Sequence, residues 1–131
     1  MERRCIRVLV PCYEPGGLSA KVYPHWEAKT FTIICLGKRK VYRAWVVRRG
    51  EGELLIRLIE REGVKAAFTL SLSTRALELL EKRGVAVLTG NFTTVGEAVS
   101  KWMRGELYVL KLLKLRQAGP GEIKPLASST A

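Results

Sequence analysis

Three groups of side chains in this chain could do chemistry, and each stands where the apolar pattern breaks. The only histidine, His25, lies in Tyr23-Pro24-His25-Trp26. A neutral imidazole nitrogen is a good metal ligand; the plain alternative is a loop histidine stacked beside Tyr23 and Trp26. Cys12 follows Pro11 at the end of an apolar run and precedes Pro15-Gly16-Gly17. Ligand sites in α/β sheets gather at strand ends, which makes Cys12 a candidate thiolate ligand, against the alternative of a half-buried structural thiol. Ser71, Ser73 and Thr74 lead into a helical pattern. Free amides at a helix start bind anions, while Ser and Thr also stand there simply as caps.

A fourth group is basic. Between Glu27 and Glu51 there is no acid and there are seven bases: Lys29, Lys38, Arg39, Lys40, Arg43, Arg48 and Arg49, with Tyr42 and Trp45 among them. Bases interleaved with aromatics can hold phosphates and stack bases. Lys38, Arg39, Lys40, Arg43, Trp45, Arg48 and Arg49 therefore form an alternative site, for nucleic acid or an acidic partner. Strand alternation puts Arg43 and Trp45 on one face and Tyr42 and Ala44 on the other. A solvated edge strand protected by charge is the plain reading.

Composition narrows the chemistry. The 131 residues carry 23 Lys plus Arg against 12 acids, a net charge of +11, and every acid is Glu. Without Asp, a two-metal nuclease site loses its usual ligands, and a Ser-His-Asp triad has no Asp to use. No acid–base pair, Gly-rich phosphate motif or activated nucleophile is seen, so a non-enzymatic binder is expected. Cys5, Cys12 and Cys35 are three cysteines without Cys-x2–4-Cys spacing, which speaks against zinc. They read as buried hydrophobes, or as a Cys5–Cys35 or Cys12–Cys35 disulfide in a heat-adapted protein. Abundant Arg and Glu beside a single Asn and a single Gln fit such adaptation. No apolar run approaches the roughly 18 residues of a membrane helix, and no secretory leader is read at Met1. A cytoplasmic protein is expected.

These groups need elements to position them. Cys5–Pro11, Lys29–Leu36 and Lys40–Arg48 read as strands, the last two as a hairpin over Gly37-Lys38-Arg39. Leu54, Leu55, Leu58 and Ile59 switch to helical spacing and Gly63 stops it. Val64–Leu70 is a strand, Ser73 or Thr74 caps a helix to Arg83, and Val85–Leu88 is a short apolar strand suited to a central position. Thr94-Val95-Gly96-Glu97 is a capping box for a helix to about Arg104. The order implies a mixed sheet with helices packed on it. Leu107–Leu115 follows a helical stripe. Residues 1–106 are thus expected to form a single α/β domain. Residues 107–118 would be a C-terminal helical extension able to join two copies, and 119–131 a flexible tail.

In this order, several strings resemble the dinitrogenase iron–molybdenum cofactor biosynthesis family over roughly Ile6 to Leu107. They are the Pro-terminated strand Ile6–Pro11, the His25-Trp26-Glu27-Ala28-Lys29-Thr30-Phe31 string, Leu54-Leu55 with Gly63-Val64, Arg75–Val85, and Thr94–Val99 ending in Gly105-Glu106-Leu107. The resemblance implies a three-layer fold with a mixed five-stranded sheet, helices on both faces and ribonuclease H-like topology. It also implies a carrier or binder of a metallocluster, of iron–sulfur type, or of another small anionic ligand. His25 would then be a cluster ligand and the Ser71–Thr74 turn would line the site. The chain departs from the family in two places. Trp26-Glu27 replaces a Phe-Gly pair, and Thr69–Thr74 contains none of the glycines found in the family's loop. A heat-adapted scaffold that kept the fold and lost the ligand is the third reading.

Overall fold

The computed structural model describes residues 5–111 and the two-residue strand at 124–125. Six strands and three helices alternate as β1 (Ile6–Cys12), β2 (Thr30–Leu36), β3 (Val41–Arg48), α1 (Leu55–Glu62), β4 (Ala66–Phe68), α2 (Thr74–Lys82), β5 (Ala86–Thr89), α3 (Val95–Met103) and β6 (Tyr108–Leu110), with β7 (Lys124–Pro125) added at the edge. The sheet order is β3-β2-β1-β4-β5-β6-β7. β1 lies antiparallel to β2 and parallel to β4, β4 is parallel to β5, and β6 returns antiparallel to β5. The architecture is mixed α/β, as expected.

Side-chain alternation divides the core in two. Val8, Val10, Cys12, Ile34 and Phe68 pack with Val95, Ala98 and Val99 of α3. Leu9, Phe31, Ile33 and Ala67 pack with Leu58 and Ile59 of α1 and Leu77 and Leu80 of α2. Helices therefore cover both faces. β2 is buried along its whole length, Thr30 and Thr32 included, as suits a strand covered on both faces.

Local stop and start signals act where the residues placed them. Gly63 takes a left-handed φ of 65° after α1, and the amides of Gly63 and Val64 turn back to the Glu60 and Ile59 carbonyls. Val64 is thereby spent on the cap, and the β4 ladder begins only at Ala66. Ser73 Oγ accepts the Ala76 amide at 3.1 Å, and Thr94 Oγ1 accepts the Glu97 amide at 3.1 Å. Glu97 Oε1 reaches back to the Thr93 amide at 2.6 Å, one residue before the cap.

Two expectations are corrected. The sheet has six strands and a two-residue seventh, not five. The extra strand is β6, at the start of the segment expected to be helical from Leu107. A short apolar run fits either period. After Gly105 ends α3, the open backbone edge of β5 decides the outcome by pairing with Tyr108–Leu110. Leu107, just before it, is fully buried. The rest of the expected extension, residues 112–118, and the 119–131 tail apart from Lys124–Pro125 lie outside the described residues. Cys5 and Cys35 form a disulfide with Cα atoms 5.4 Å apart, which leaves Cys12 free and buried and removes the Cys12–Cys35 alternative. Among the described residues no helix is long and apolar enough to cross a membrane.

Candidate functional site

A cleft of about 550 Å³ opens where the chain after β1 meets the β4–α2 turn. It lies in the 300–1,000 Å³ range usual for ligand sites. His25, Ser71 and Ser73, three residues nominated from sequence, line it together with Trp26, Glu27 and Arg49. Thr74 begins α2 and is not part of the lining. The cleft sits beyond the C-terminal end of β4, where a parallel sheet presents loops and a helix start.

The β4–α2 turn is built from side-chain hydrogen bonds in place of glycine. Trp26 Nε1 donates to Thr69 Oγ1 at 2.8 Å, and that hydroxyl donates to the Ser71 carbonyl at 2.8 Å. Ser71 Oγ donates to the Pro24 carbonyl at 2.6 Å. Thr69 is fully buried and Trp26 only 9% exposed. The His25 loop and the serine turn are therefore fastened to each other, with the indole stacked on Phe31 at 6.1 Å between ring centroids. Trp26 forms a wall of the cleft and does not fill it. His25 is exposed, its ring nearly perpendicular to that of Tyr23 with centroids 6.2 Å apart.

Cys12 is elsewhere. It belongs to the core on the α3 side of the sheet, whereas Trp26 belongs to the α1–α2 side. Its thiol lies 3.2 Å from Thr32 Oγ1. Burial raises its pKa, the Thr32 contact lowers it and nearby Glu14 raises it. The protonated form is favoured, whereas a metal ligand must be a thiolate. The structure thus separates the two residues nominated as metal ligands. Among the described residues, no three His, Cys, Asp or Glu side chains gather as a metal centre.

The basic hairpin is not one surface. Arg48 forms a two-pronged pair with Glu14, at 2.9 and 2.7 Å. Arg43 and Arg7 stack on the Trp45 ring, at 4.7 and 5.1 Å from its centroid, and Lys40 on Tyr42 at 4.6 Å. Arg49 turns away into the cleft, where its Nη2 donates to the Trp26 carbonyl at 2.8 Å. Lys38, Arg39 and Lys40 stay together on the exposed turn.

Two cleft residues were not nominated for it. By sequence Arg49 belongs to the basic hairpin and Arg75 to the helix after Ser73. Arg75 did carry a local signal. It is a cation in the first turn of α2, where the helix dipole favours anions and where no acid stands. The polar groups of the cleft are therefore His25, Arg49, Arg75, two serines and a single carboxylate, Glu27. That set can hold an anion. Leu55, Leu72, Ala76 and Leu79 supply the apolar part of the lining.

Comparison with solved structures gives the same architecture. A protein provisionally named NifB from Thermotoga is 25% identical, with a TM-score of 0.62, covering 78% of this chain and 90% of that one. A protein provisionally described as a dinitrogenase, from Methanocaldococcus jannaschii, is 18% identical with a TM-score of 0.67, over 82% and 96%. The apo form of the orange protein from Desulfovibrio gigas is 21% identical with a TM-score of 0.69, over 81% and 93%. No curated protein sequence matches the chain. A family model described as dinitrogenase iron-molybdenum cofactor matches residues 7–105. These residues run from β1 through the end of α3 and carry both the His25 loop and the serine turn, so the chain belongs to the dinitrogenase iron-molybdenum cofactor family.

Proposed function

We propose that this protein binds or carries a metallocluster, or another small anionic ligand, in the cleft beside His25, and catalyses no reaction of its own. The observation that carries this reading is the meeting of His25, Ser71 and Ser73 around one open cleft, in a chain of the iron–molybdenum cofactor family. The donor set fits a preassembled cluster better than one built on the protein. Cys12 is buried on the other side of the sheet, so among the described residues the cleft offers one imidazole and one carboxylate, Glu27, and no thiolate, and the remaining hold would come from charge and hydrogen bonds. The strand order β3-β2-β1-β4-β5 with β2 antiparallel supports a ribonuclease H-like topology for this unit.

Anaerobic purification from cells supplied with iron and molybdenum tests the reading. The protein is expected to carry metal and visible absorption, both reduced by at least half in His25→Ala. Metal-free, colourless wild-type protein would sink the cargo reading, and so would absorption that ignores the substitution.

A further inference from the structure

The two cleft arginines lack, among the described residues, the carboxylate partner that four other arginines have. Arg48, Arg61, Arg83 and Arg104 each pair with a glutamate. Neither Arg49 nor Arg75 has such a partner among the described residues. Arg49 is half-buried, with its guanidinium 5.6 Å from the Phe31 centroid, and its Nε is shut off from solvent without an acceptor. Glu53 is close enough for Arg49 to lower its pKa, but that carboxylate accepts from Gly50 and Arg61. A partly desolvated cation without a carboxylate partner is costly to leave uncompensated. Beside the two arginines the cleft wall is mostly carbon: Trp26, Leu55 and Leu79, the last 47% exposed.

We propose that this cleft selects an anion with an apolar or polarisable body. Arg49 and Arg75 take the charged end, and Trp26, Leu55 and Leu79 take the body. The proposal rests on the reading of the cleft as a ligand site and names the chemistry of what it accepts. A sulfur-rich cluster and an organic phosphate share that chemistry. Glu27, in the same lining, opposes the charge and lowers the affinity for an anion. A bare oxyanion would satisfy the arginines and leave the carbon wall wet.

Calorimetric titration of the full chain with phenyl phosphate, inorganic phosphate and phenol tests this. Phenyl phosphate is expected to bind about tenfold or more tighter than either part alone, since charge-assisted hydrogen bonds and apolar burial both contribute. Arg75→Gln, at an exposed position, should weaken it about tenfold, and Glu27→Gln should tighten it severalfold. Arg49→Gln removes the bond to Trp26 and endangers the loop, so Arg49→Lys, which keeps the charge, is compared with it by circular dichroism. Arg49→Lys should weaken binding at unchanged fold, because a point charge replaces a planar fork. Equal affinity for phenyl phosphate and inorganic phosphate overturns the proposal, as does indifference to both Arg75→Gln and Arg49→Lys. If phenyl phosphate fails to bind while anaerobic protein keeps its His25-dependent absorption, this inference falls and the cargo reading stands. Arginine-dependent binding in protein that carries no metal means the reverse.

Discussion

Arg48 illustrates how far a single residue can be read from its neighbours in sequence. Its place in a run of bases suggested a phosphate contact, yet it closes on Glu14, 34 positions earlier. The Thr30 hydroxyl donates to the same carboxylate. The hydrogen bonds from Arg48 first, and that from Thr30 second, hold the Glu14 carboxyl at about 2 instead of 4.5. Because the folded value lies below the unfolded one, the contribution to stability is complete above pH 4.5 and fades as pH falls toward 2. Both side chains are more than half exposed, so salt should screen the pair. Wild-type protein is expected to be more stable than Glu14→Gln at neutral pH, with the gap in thermal midpoint closing between pH 4.5 and 2 and narrowing in high salt. A gap independent of pH would mean that the pair is not its source. Nothing local announces this pair. It depends on β3 lying beside β2, which brings Arg48 opposite Thr30.

At the scale of elements, legibility followed distance along the chain. Caps need only four or five residues, and Ser73 and Thr94 act as their types and spacing required. Gly63 and Gly105, both at left-handed φ, end α1 and α3. The β4–α2 turn was half legible. The serines were visible as helix-start residues, but the bond from Ser71 to Pro24 spans 47 positions and the indole bond to Thr69 spans 43. These non-local bonds hold a turn that contains no glycine. Thr69 and Ser71 fix by side chain a turn that glycine would permit by conformational freedom. Ser73→Ala should therefore cost about 1 kcal/mol of stability through the lost α2 cap. Its urea midpoint should fall at an unchanged slope, while the cleft keeps Ser71. A cost near zero would show that the Ala76 amide finds water or another acceptor as readily.

At the scale of the whole molecule, the sixth strand is defined by its pairing with β5. Central strands declared themselves by apolar content, whereas β6 is three residues long and has meaning only beside β5. Its approach is fixed by Leu107, which is fully buried in the core shared with α3 and packs so tightly on Gly90 that a methyl group there would come within 2.7 Å of its Cδ2. This places a core side chain one residue beyond the expected domain boundary at 106 and two beyond the last residue matched by the family model. If the folded unit needs the return strand, Leu107→Ala should cost about 3 kcal/mol, the usual loss for a fully buried leucine, seen as a lower denaturant midpoint. The cleft lies on the opposite side of the sheet, so phenyl phosphate affinity in the folded variant should not change. A cost under about 1 kcal/mol would instead return Leu107 to the extension and restore the boundary at 106. The two outcomes assign β6 differently: in the first it closes the open edge of β5 and belongs to the domain that holds the cleft, and in the second it is an addition to a domain already complete at α3.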